Sequence, residues 1–188
     1  MNDVLKAIAE RRSIRKYLPT PLPDGDLERI VEAGLWAPSA RNRQPWRLTV
    51  VTGLERIARV TAELKAAVAR MPDNPYQGMV GAEAYTVNFH NAPAFIIVSA
   101  DPQTSPLAAA DCALVLQNIF LAAHSLGIGS CWVNQLGSAC ADAGFRAFIT
   151  GLGVPEGHHI YGCAALGYAD GPAPSPPARK KDAVSYAK

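Results

Sequence analysis

Excess charge of either sign is missing from this 188-residue chain: 18 lysines and arginines face 16 aspartates and glutamates, a formal net charge of +2. So small an excess argues against a nucleic-acid or anionic-membrane surface. Cysteine is sparse. Cys112, Cys131, Cys140 and Cys163 form no C-x-x-C pair and no zinc-like group, and each stands in an apolar run. Buried, reduced thiols and a cytoplasmic setting are therefore expected. Neither a P-loop nor a dinucleotide-type glycine fingerprint is present. No serine stands in a G-x-S-x-G elbow, and no histidine has an orienting carboxylate close by. His158 and His159 are adjacent and would face opposite sides of a strand; His90 and His124 lack companions at ligand spacing, so no metal is assigned. With metal, triad and paired carboxylates set aside, any chemistry belongs to a bound organic cofactor. The one long apolar run, residues 107–126, has the length of a membrane span. It is interrupted by Asp111, Gln117, Asn118 and His124, so it reads as a buried central helix. Asp3, Lys6 and Glu10 break up the start of the chain, and no signal segment is expected there.

Against these absences stands a chain with 49% hydrophobic and 18% charged residues, enough apolar material for one sizeable core. Asn2 or Asp3 caps a first helix carrying Val4, Leu5 and Ile8, with Arg11 and Arg12 in its last turn. Prolines 19, 21 and 23 force an extended connection, after which Asp24 caps a helix bearing Leu27, Ile30, Val31 and Leu35. Strands are expected over 46–52, 94–100, 129–135 and 161–168, and helices over 55–70, 83–91, 107–126 and 138–150. Residues 71–81 have the composition of a mobile connection. Interleaved strands and helices imply a layered α/β or α+β domain. Four prolines between residues 171 and 178 mark a tail leaving the body, which divides the chain into 1–170 and 171–188.

The positive charge that exists is clustered. Arg11, Arg12, Arg15 and Lys16 surround Ser13 within six residues; Arg41, Arg43 and Arg47 form a second group, and Arg179, Lys180 and Lys181 a third. Three short basic groups in a near-neutral chain suit a discrete anionic ligand. If residues 11–17 are extended, Arg11, Ser13, Arg15 and Tyr17 share one face, and Ile14 anchors the strip from the other. Two guanidiniums beside a hydroxyl then form an anion site of fixed geometry. Between Pro38 and Pro45, Ser39, Asn42 and Gln44 offer a hydroxyl and two amides; amides suit a heteroaromatic edge that alternates acceptors and donors. Arg41 and Arg43 are expected to face solvent.

Together these segments resemble the FMN-dependent nitroreductase family. The resemblance rests on the opening Arg-Arg-Ser-Ile-Arg-Lys-Tyr strip, the Pro-Ser-x-x-Asn-x-Gln-Pro-Trp loop at 38–46 and the Leu-Gly-Ile-Gly-Ser-Cys-Trp run at 126–132. A Leu-Gly-Tyr strand end at 166–168 and the basic, proline-rich tail complete it. It implies an α+β, three-layer fold, with a mostly antiparallel central sheet flanked by helices. It also implies a domain-swapped homodimer whose tail, 171–188, wraps the partner, with FMN bound at the subunit interface. Carried over, Arg11, Arg12, Ser13 and Arg15 line the phosphate and pyrimidine side of FMN. Ser39, Asn42 and Gln44 come from the other subunit, Asn134 and Gln135 lie near flavin N5, and Arg179 and Lys180 close on the phosphate. The activity implied is NADH- or NADPH-driven reduction of a small-molecule electron acceptor, such as a nitroaromatic or quinone, by a ping-pong cycle with protons from water. Relatives that dehalogenate tyrosines or cleave flavin, and a non-catalytic flavin binder, are the alternatives; the first would need a zwitterion-binding lid that the sequence does not show. Tyr76, Tyr85 and Phe89 either cover the flavin or fill a small core, with Tyr76 expected as lid and Phe89 as core.

Overall fold

The computed structural model describes residues 1–79, 88–180 and 182–187. Its centre is a four-stranded sheet of β1 (Trp46–Thr52), β2 (Ala94–Ala100), β3 (Gly129–Val133) and β4 (His159–Gly167), ordered β1-β2-β4-β3. Every pairing is antiparallel. Pro45 and Gly53 bracket β1, and the apolar run AFIIVSA of β2 is buried along its whole length. Side chains alternate across the sheet, as a period of two requires. Phe95 and Ile97 face one apolar layer with Cys163 and Ala165, while Ile96 and Val98 face the other with Ala164 and Leu166.

The first layer is closed by α3 (Leu54–Ala69), α5 (Gln135–Ala139) and α6 (Ala143–Gly151), through Ile57, Val60, Leu64, Leu136, Phe145 and Ile149. The second is closed by α2 (Asp24–Leu35) and α4 (Ala108–Ser125), through Leu27, Ile30, Val115, Leu116 and Ile119. These helices meet closely at Gly34, where an added Cβ would lie 2.9 Å from Ile119 Cγ1. The architecture is thus the expected three-layer α+β fold.

Several boundaries differ from expectation for local reasons. α1 (Asp3–Glu10) starts at the Asn2 cap, whose side chain accepts from Leu5 N–H at 2.9 Å. It stops one residue before Arg11, so neither arginine lies in its last turn. Pro23, not Asp24, is the N-cap of α2, and no side chain bonds to that helix start. The single helix expected over 138–150 is two, because Asp142 accepts from Phe145 N–H and starts a new one. Of the helix expected over 83–91, residues 83–87, Tyr85 included, lie outside the described residues. Asn88–Asn91 is a short turn with left-handed backbone at Phe89, His90 and Asn91. Phe89 is core, 1% exposed, its ring stacked on Phe95 at 3.9 Å. β1, although its Leu48, Val50 and Val51 suggest a buried strand, is an edge strand with only Val51 and Thr49 buried. α4 is long and apolar enough to cross a membrane, yet it packs one face into the second layer and leaves the other uncovered.

Candidate functional site

Residues 11–17 leave α1 and lie along the free edge of β3. Ser13 bridges Ser130 in parallel, Ile14 N–H donates to Ser130 O at 2.9 Å, and Tyr17 bridges Ala169 beyond the end of β4. Ile14 packs on the first layer, over Gly129. Tyr17 does not share the outward face of Arg11 and Arg15. It is buried in the same layer as Ile14, donates its hydroxyl to Ala165 O at 3.3 Å, and has its pKa raised, chiefly by burial. Two isolated bridges are not a ladder: in passing from β3 to the segment after β4 the strip rotates, and the strict alternation fails.

The four cations of the strip divide. Arg12 folds back and donates to the carbonyls of Arg11 (2.5 Å) and Ala9 (2.8 Å), which satisfies acceptors left open at the end of α1. Lys16 pairs with Asp170 at 2.7 Å. Arg11 and Arg15 are in no ion pair among the described residues. The Arg11 guanidinium lies 6.0 Å from the ring centre of Phe120 on α4. Its pKa is lowered, first by burial, then by Arg12 and by Arg179 of the tail. Burial raises the Cys131 thiol on β3, which the positive charges of Arg15 and Arg11 pull the other way. Arg11 lines a cavity of about 220 Å³ together with Glu10, Arg12, His124 and Ser130. Ser130 is 1% exposed, and its Oγ has no hydrogen-bond partner. Guanidiniums without a carboxylate partner among the described residues and an orphaned hydroxyl are what a bound phosphate monoester would satisfy. Lys180 is exposed in the tail.

Ser39, Asn42 and Gln44 lie in a bend around the short helical turn Ala40–Asn42. Arg41, Asn42 and Gln44 have φ of 55°, 52° and 46°, the left-handed region that costs most residues energy. The bend is tied internally: Gln44 N–H donates to Ser39 Oγ and Gln44 Nε2 to Asn42 Oδ1, both at 2.9 Å. Arg41 and Arg43 are exposed, and Arg43 donates to Thr104 O at 3.2 Å. Asp111, in the first turn of α4, accepts from Ala40 N–H at 3.0 Å. The bend thus meets α4 near Asp111, and the strip meets it near Phe120, about 14 Å further along the axis. Within one chain the two groups lie at opposite ends of one helix.

Asn134 and Gln135 follow β3 at the start of α5. Asn134 is exposed, and its Oδ1 accepts from the Tyr76 hydroxyl at 2.9 Å. Tyr76 is half-buried against the first layer, so it both packs and covers residue 134. Sequence reasoning missed that link, the Ser130 orphan and the role of Asp111; the only signal for the last was a carboxylate inside an apolar helix. A larger hollow, about 580 Å³, lies beside α6, where Arg146 is already engaged by the carbonyls of His158 and Pro155.

The family model for the Nitroreductase family matches residues 8–168. A crystal structure of a nitroreductase with bound FMN from Bacteroides fragilis is 39% identical, with both chains fully covered and a TM-score of 0.93. One from Desulfitobacterium hafniense, also with bound FMN and fully covered, is 37% identical with a TM-score of 0.87. An Archaeoglobus fulgidus relative described as an NADH dehydrogenase/NAD(P)H nitroreductase is 35% identical over 174 residues, 89% of this chain and 86% of that protein. With a family model over most of its length and an antiparallel sheet between two helical layers that superposes on solved nitroreductases, this chain belongs to the nitroreductase family.

Proposed function

We propose that the protein is an FMN-dependent oxidoreductase that uses NADH or NADPH to reduce a small electrophile, a nitroaromatic or quinone, in a ping-pong cycle. The observation that carries this reading is the basic strip seated on the β3 edge, with Arg11 and Arg15 in no ion pair among the described residues and Arg11 lining the Ser130 cavity. FMN in the related crystal structures and the NAD(P)H in the Archaeoglobus relative's description support it. Bound FMN supplies hydride acceptance from the nicotinamide at N5 and delivery of that hydride to the second substrate. In this assignment Arg11, Arg179 and Lys180 hold the phosphate, and Arg12 stays on the helix end beside it. Ser13 and Arg15 hold the pyrimidine side, where a fixed cation favours the negative charge of the reduced ring, each charge-assisted bond contributing about 1.5–3 kcal/mol. Asn134, covered by Tyr76, and Gln135 bound the N5 edge.

The remaining wall is assigned to Ser39, Asn42 and Gln44 of a second copy. The uncovered face of α4 supports this, since Ala110, Leu114, Gln117 and Leu121 recur at the four-and-three spacing of paired helices. Antiparallel pairing would bring the Asp111 end of one helix to the Phe120 end of the other. Val4, Leu5 and Ile8 on α1 and Trp36, 79% exposed, add apolar surface for the same contact. In this assignment the tail, residues 171–188, wraps the second copy and brings Arg179 to the phosphate. Purified protein mixed anaerobically with NADH or NADPH in a stopped-flow instrument should lose the oxidised-flavin band near about 450 nm and regain it on adding acceptor. A yellow protein bleached by neither donor would be a flavin binder without turnover, and a chain that takes up no FMN refutes the assignment outright.

A further inference from the structure

Asp111 is a buried carboxylate that the flavin assignment leaves without a task. It is 3% exposed and has no cation within ion-pair distance among the described residues. Its partners are two donors from different segments: Oδ1 accepts from Ala40 N–H at 3.0 Å, and Oδ2 accepts from the Ser105 hydroxyl at 3.2 Å. Ser105 is itself 1% exposed, and its Oγ accepts from Leu107 N–H at 3.2 Å. A charge withdrawn from water in this way is expensive unless such bonds are complete. The start of a helix needs nothing so costly, because a neutral serine or asparagine satisfies it as well. What the carboxylate grips is the first amide of the bend, whose next residues include three in left-handed backbone that only surrounding contacts can hold. Ser39 Oγ ties the far end at Gln44 N–H, and Asp111 ties the near end to the rigid helix.

The geometry points to Asp111 as a positioning residue: through the Ala40 amide it holds the 39–44 bend in the shape that presents Asn42 and Gln44 to FMN. This rests on the flavin assignment above, and it makes α4 both the scaffold of the bend and the element that carries it toward the second copy. Asp111→Asn tests it, since the amide keeps one acceptor for Ala40 but turns a donor toward Ser105, whose hydroxyl loses its acceptor.

Two measurements are made on the full-length protein. Amide exchange followed by mass spectrometry should show faster exchange at 39–44 in D111N, with the rest of α4 unchanged. The FMN dissociation constant, from fluorescence quenching, should rise about tenfold, the equivalent of one charge-assisted hydrogen bond at its weaker limit. In an Asn42→Ala/Gln44→Ala background the same substitution should change FMN affinity by less than about twofold, because both amides that Asp111 positions are then gone and only Ser39 of the bend's assigned contacts is left. Ser105→Ala should act in the same direction with a smaller amplitude, and it serves if D111N does not fold. Unchanged exchange at 39–44 overturns the assignment, as does a full tenfold loss persisting in the doubly truncated background, the result expected of general destabilisation. A wild-type chain that takes up no FMN refutes the flavin assignment and this one with it, and the exchange data distinguish that outcome from a failure of Asp111 alone.

Discussion

Replacing Gly129 with alanine should unseat the basic strip. Gly129 opens β3 opposite Gly167, and a Cβ there would lie 2.9 Å from Ile14 Cγ1, 3.0 Å from Ile14 Cβ and 3.1 Å from the Gly167 carbonyl oxygen. A change of rotamer could withdraw Cγ1, but Ile14 Cβ is fixed to its own backbone and the carbonyl belongs to the sheet. Relief requires the strip to move away from β3, against the Ile14–Ser130 hydrogen bond that holds it. Overpacking of this kind costs about 1–3 kcal/mol. For a chain of this length each kcal/mol lowers Tm by about 2–4 °C, so a fall of about 2–12 °C is expected. Gly25→Ala is the control: no atom lies within 4 Å of the added Cβ, and alanine inside α2 should be neutral or stabilise by up to about 1 kcal/mol. FMN titration of the same proteins gives a second reading, because Arg11, Ser13 and Arg15 move with Ile14; affinity should fall in Gly129→Ala and hold in Gly25→Ala. Wild-type Tm and wild-type FMN affinity in Gly129→Ala would show that the strip is not seated by this contact.

Arg15→Ala should weaken FMN binding by about 10- to 150-fold, the equivalent of one charge-assisted bond, and make the flavin midpoint potential more negative; if titration and potentiometry show no change, Arg15 does not face the ring. The Asp142 carboxyl is held down to about 2, first by the Arg70 guanidinium at 2.8 and 2.9 Å, then by Phe145 N–H. Its folded value lies below the unfolded one, so its contribution is fully present above about pH 4 and is lost as pH falls through 2. Denaturation from pH 2 to 5 should therefore show a shallower acid loss in Arg70→Met than in wild type, and parallel curves would dismiss the pair. Phe89→Ala removes a ring stacked on Phe95 inside the first layer and should cost about 3–5 kcal/mol by urea denaturation; a loss under about 1 kcal/mol would contradict its burial.

What the sequence could reveal depended on range. β1 and β2 were legible to the residue, because Pro45 and Gly53 bracket the one and an unbroken apolar run marks the other. The anchoring role of Ile14 was legible from alternation, but the inward turn of Tyr17 was not, since it depends on where β4 ends relative to β3. Asp24 looked like a helix cap by residue type; Pro23 takes that position because its own carbonyl accepts from Asp26 and Leu27. The break at residues 140–142 was hidden by continuous apolar spacing, though Asp142 carries the usual cap chemistry. Within the candidate site, Arg11, Ser13 and Arg15 could be picked out as neighbours along the chain. The Ala40–Asp111 bond spans 71 residues and Tyr76–Asn134 spans 58, and no local pattern announces either.

Arg12 and Lys16 are occupied within their own chain, one by carbonyls at a helix end and the other by Asp170. A polyanion gains by summing many weak attractions along a run, and here every second member of the run is already engaged. A compact doubly charged group needs only a few fixed cations, and in the assignment above Arg11 of the strip and two tail cations supply them. Added salt should therefore erode capture of such a group gently, while heparin or DNA should pass this surface by even in dilute buffer.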